Sequence, residues 1–125
     1  MASHGDWTEQ FKYSDFKRAG DLVFFSGQVG LDEAGNAPTD PAEQYRLAFD
    51  ALAAVLDSAG CTPDDLVDLM TYHTSYPQHV EEFMAAKAAF QGEARPTWTA
   101  VGVEKLGMPG TLVEIKAIAQ ARDVQ

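Results

Sequence analysis

The spacing of apolar residues changes period several times along the chain, and each change marks an element. Asp21–Gly30 (DLVFFSGQVG) is a short apolar run ended by glycines and reads as a strand buried on both faces. Gly35-Asn36 marks a turn, after which Asp40, Pro41 and Glu43 supply an N-cap, a first-turn proline and a capping-box carboxylate. The helix they start carries Tyr45, Ala48, Phe49, Leu52, Val55, Leu56 and Ala59 on one side, a 3.6-residue stripe that Gly60 ends. One helical turn near Pro63–Leu66 leads into a strand, VDLMTYHTSY. A second helix is predicted from near Pro77, showing Val80, Phe83, Met84, Lys87 and Phe90 and stopping at Gly92. WTAVGVEKL and TLVEIKAIAQA read as two last strands, and FKYSDFKRA counts as a weak first strand or edge.

That order, β-β-α-β-α-β-β, predicts an α+β fold with two helices packed on one face of a mixed sheet. Residues 1–10 read as an N-terminal tail and residues 11–125 as a single domain. The second face of the sheet then needs a cover. Phe24 and Phe25 are adjacent and point to opposite faces, as do Leu112 and Val113. Two helices cover only one face, so the pattern predicts oligomerisation.

Composition narrows the function. A chain of 125 residues with 46% hydrophobic content supports one self-sufficient core. Its net charge of −10 repels phosphate backbones and anionic membranes, so neither nucleic acid nor membrane is an expected partner. No apolar run approaches the ~20 residues of a membrane span. The first ten residues lack the regions of a signal peptide, and a single cysteine suits a reducing cytoplasm, the expected location. That cysteine, Cys61, has no nearby histidine to activate it and reads as structural. His4, His73 and His79 show no ligand spacing, so no metal site is expected.

The segments YS…AGDLVFFSGQVG, ALAAVLDSAGCTPDDLVDL and TLVEIKAIA, in this order, resemble the Rid family. These are YjgF-like reactive intermediate deaminases, formerly labelled L-PSP endoribonucleases. The resemblance runs from Tyr13 to Ala119. It implies a chorismate-mutase-like fold, a homotrimer with sheets facing inward, and three ligand clefts between subunits. It also implies hydrolysis of small enamines and imines such as 2-aminoacrylate, without a cofactor. Deaminases of the family hold the substrate carboxylate with an arginine three residues before a V-x-V-x-x-L stretch. Here that stretch is Val101, Val103 and Leu106, so the counterpart is Trp98. Arg95 lies earlier, before Pro96, and at an odd offset that turns it to the opposite side of a continuous strand. A bulge or looped-back strand start is the alternative that would return it to the cleft.

Glu114 matches the family's water-positioning acid and is expensive to bury unpaired; pairing with Lys116, two residues on, is the competing reading. Such a pair would keep Glu114 ionised and suit it to a base. Ser26 and Gly27 match a Ser-Gly whose amides would receive the polar end of a ligand, against a plain strand-end turn. Tyr13 matches a cleft tyrosine able to donate to a ligand oxygen, against core packing. His73 is a catalytic candidate because it titrates near neutrality, against hydrogen-bonded filler. Trp98 would stack on a flat ligand, and Phe83 and Ala100 stand where many deaminases of the family have Asn and Cys. The expected function is a deaminase-like hydrolase for a small neutral or aromatic enamine or imine, its preference moved away from 2-iminopropionate-type carboxylates. The alternative is a non-catalytic ligand-binding or sensing trimer. The acidic charge disfavours a ribonuclease.

Overall fold

The computed structural model describes the backbone of residues 4–122 and the side chains from Trp7 to Arg122. Of the expected N-terminal tail, residues 1–3 lie outside the described residues and the rest enters a short helix, α1 (His4–Phe11). There follow β1 (Phe16–Ala19), β2 (Leu22–Gln28), α2 (Pro41–Ser58), a 3-10 turn (Pro63–Asp65), β3 (Leu66–Thr74), α3 (Val80–Gln91), β4 (Thr97–Val103) and β5 (Val113–Gln120). The fold is α+β, with a five-stranded sheet in the order β1-β2-β5-β3-β4. β4 pairs in parallel with β3, the crossover running through α3, and the other pairs are antiparallel.

The start of α2 follows from its sequence. The Asp40 carboxylate accepts from the Glu43 amide at 3.3 Å, and Pro41 takes the first turn, where a missing N–H costs nothing. The capping box stays half-formed, because the Glu43 carboxylate turns to Arg46 instead, at 2.7 Å. Tyr45, Ala48, Phe49, Leu52, Val55 and Leu56 are buried as the stripe requires. They meet Val23, Phe25, Leu69, Val113, Ile115, Ala117 and Ala119 from the sheet. At Gly30 the chain leaves β2 directly beneath α2; an added Cβ would lie 2.8 Å from the Ala48 amide nitrogen, so only glycine fits.

Two expectations change here. β2 is buried on one face only: Val23 and Phe25 enter the core, while Leu22 and Phe24 face outward, Phe24 38% exposed. Its apolar run had hidden the alternation, because the outward residues are apolar too. α3 begins at Val80 rather than near Pro77, because Ser75–His79 forms turns, closed by Gln78 N–H to Ser75 O and Val80 N–H to Pro77 O.

Candidate functional site

An open cleft of about 580 Å³ lies on the side of the sheet away from α2 and α3, at the end of β2 and beside α1. Its lining includes Trp7, Phe11, Tyr13, Gly27, Met108 and Glu114. Four of the sequence candidates meet here: Tyr13, Ser26, Gly27 and Glu114. The pairing between β2 and β5 is regular to Phe25↔Ala117 and resumes at Gln28↔Ile115, so Ser26 and Gly27 form a bulge beside Glu114. A Cβ on Gly27 would stand 2.7 Å from Glu114 Cγ and Cδ; the missing side chain is what lets the carboxyl lie across the bulge. Ser26 holds the opposite wall. Its hydroxyl donates to Ser14 O at 2.6 Å and its amide to Asp15 O at 2.9 Å. The loop that follows Tyr13 is thereby tied to β2, and Tyr13 N–H donates to Thr8 O, joining it to α1. Ser26 therefore builds the site; its amide is already engaged and cannot receive a ligand as expected.

Burial pushes the Glu114 carboxyl above the ordinary glutamate value, with the charge of Lys116 offsetting only part of this. The competing reading, an ion pair with Lys116, is not realised, and the pull of that lysine's charge is the smaller effect. Lys116 donates instead to Phe25 O at 3.2 Å. Tyr13 is raised by burial first, then by the negative charges of Asp15 and Glu114, so its phenol stays protonated and can donate.

His73, on β3, and Phe83, on α3, meet on the other side of the sheet. Phe83 has 0% exposure and packs its ring against Tyr45, Phe49 and His73. His73 is buried, which depresses its pKa and keeps the imidazole neutral; its Nε2 shares a 2.8 Å hydrogen bond with Thr71 Oγ1. Trp98 pairs in register with Leu69, donates its indole N–H to Thr71 Oγ1 at 2.9 Å, and stacks on Phe83. Lys87 Nζ stands 4.5 Å over its ring. Within the chain, α3 is thus the stacking partner of Trp98. Ala100, two residues on, lies opposite Thr71. Arg95 donates to Gly92 O and Ala94 O at the end of α3, and β4 pairs with β3 in unbroken register from Thr97, so the strand start carries no bulge or loop-back. The structure therefore brings Tyr13, Ser26, Gly27 and Glu114 together and leaves His73, Phe83, Trp98 and Ala100 apart from them.

Sequence reasoning missed the contribution of α1 and of Gln44. Buried in α2, Gln44 donates to Pro38 O and Gly110 O and accepts from the Leu112 amide. It anchors the loop whose Gly107 and Met108 rim the cleft. A polar residue on the stripe of α2, next to Tyr45, was the available signal.

Comparison with known proteins agrees with this architecture. The model of the Endoribonuclease L-PSP family matches residues 8–121. The chain is 46% identical over 112 residues to the RutC family protein YjgH of Escherichia coli, covering 89% of this chain and 84% of that one. A solved structure of a protein YJGH superposes with a TM-score of 0.83 at 43% identity, over 94% of this chain and 89% of that one. At 26% identity, over 82% of this chain and 84% of the relative, it matches the 2-iminobutanoate/2-iminopropanoate deaminase of Mus musculus. The chain belongs to the L-PSP, YjgF or Rid family.

Proposed function

We propose that the chain is a cofactor-independent, deaminase-like hydrolase of a small imine or enamine, working in clefts between the subunits of a trimer. Glu114 carries the reading: a half-buried carboxyl with a raised pKa, laid over a glycine bulge in a cleft that also holds a phenol donor. Such a carboxyl suits a reaction that needs a base and then an acid. Water attacks the carbon of the protonated C=N bond, and Glu114 takes the water's proton as the C–O bond forms. Glu114 then passes that proton to nitrogen. The C–N bond breaks, and the hydroxyl proton leaves with nitrogen as ammonium, giving the carbonyl product. Tyr13 donates its O–H to a polar atom of the substrate. The deaminase relative supports the reaction class.

Among the described residues of one subunit no lysine or arginine lines the cleft, and the position of the family's carboxylate-binding arginine holds Trp98; both support a preference away from carboxylate substrates. Trp98 and Ala100, on the edge strand β4, reach a cleft of this kind only across a subunit boundary.

The test is ammonia release above the spontaneous rate. The imine of a simple aromatic amine, generated in place by an amine oxidase, is compared with 2-iminopropanoate. Acceleration of the first, weak acceleration of the second, and a drop of about 100-fold or more in Glu114→Gln are expected. Equal rates for wild type and Glu114→Gln overturn the assignment. Binding without acceleration by the wild type would make this a sensing trimer instead.

A further inference from the structure

The cleft has a distinct chemical bias. Glu114 lies on its floor, and Trp7, Phe11 and Tyr13 supply aromatic surface from α1 and the loop after it. Phe11 is 64% exposed, a large ring held at the rim with little of it used in packing. Asp15, behind Tyr13, has one carboxylate oxygen buried without a hydrogen-bond partner. The cation nearest in sequence on the same strand face, Lys116, is drawn to Phe25 O. The whole chain carries −10, so its long-range field favours positive ligands as well.

We infer that the cleft selects a cation: a protonated amine or iminium on an apolar or aromatic body, with no carboxylate of its own. A carboxylate beside aromatic faces is the combination that recognises such a group, through a charge-assisted hydrogen bond and cation–π contact. An anionic ligand would meet Glu114 with no compensating charge from this subunit's share of the lining. This deepens the hydrolase reading and rests on the same cleft, but it concerns binding and can fail separately from turnover.

A matched set separates the terms: benzylamine, benzyl alcohol and benzoate share a ring and differ in charge. Titration calorimetry on the assembled protein should find benzylamine bound about tenfold or more tighter than benzyl alcohol, and benzoate bound weakest. Glu114→Gln should remove most of the amine's advantage over the alcohol, with unchanged far-UV circular dichroism as the folding control. Phe11→Leu, at an exposed position, should weaken the amine more than the alcohol. Benzoate binding as tightly as benzylamine overturns the inference, whichever subunit supplies the cation. So does an amine-to-alcohol ratio that Glu114→Gln leaves unmoved.

Discussion

A carboxyl group on an apolar strand, such as Glu114, holds its proton more tightly in the folded chain than in the unfolded one. The folded state therefore binds more protons between the ordinary glutamate pKa and the raised folded value, and stability falls as pH rises through that window. Glu114→Gln removes the ionisation. It should raise stability at neutral pH relative to wild type, with the gain vanishing below the ordinary carboxylate range. Urea denaturation at several pH values checks this, and a gain independent of pH would show that burial does not tax the charge. The same residue was legible in the sequence because a lone acid among Val113, Ile115 and Ala117 is conspicuous. His73, Phe83 and Trp98 were not. Strand alternation says that Leu69, Thr71 and His73 share a face, but not which face the helices cover. The pairing of Trp98 with Leu69, a core residue, decides it, and that register is a tertiary fact.

At the level of elements, strong local chemistry was readable and weak chemistry was not. Asp40-Pro41 marks the start of α2 because cap and proline act within a few residues. α1 has no comparable stripe; Trp7 and Phe11, one turn apart, are its large apolar residues, and they serve the cleft more than the core. Its removal should accordingly separate binding from folding. A chain starting at Lys12 should keep its far-UV circular dichroism per residue for the remaining elements and unfold within a few degrees of the full chain. Its affinity for benzylamine should fall about tenfold or more, since the aromatic wall is gone. Global unfolding of the truncated chain would mean that α1 supports the core.

For the molecule as a whole, the unresolved demand is the helix-free face. α2 and α3 bury one side of the sheet; on the other, Leu22 and Phe24 stand exposed, with Met70, Tyr72 and Ile118 half-buried beside them. The sequence foretold this imbalance from the adjacent phenylalanines, and the strand order places Phe24 opposite Ile118, making the apolar surface continuous across β2 and β5. Contiguous apolar surface of this kind drives association, each buried large side chain contributing about 1.5–3 kcal/mol. A trimer that turns these faces inward would cover it and would create the subunit boundaries the proposed clefts need. Phe24→Lys places a charge on that face while leaving Phe25, on the core side, untouched. The wild type should behave as a trimer in sedimentation equilibrium at micromolar concentration, and Phe24→Lys as a monomer with unchanged circular dichroism. A monomeric wild type would remove the inter-subunit clefts from the proposed mechanism; a Phe24→Lys variant that remains trimeric would place the interface elsewhere on the chain.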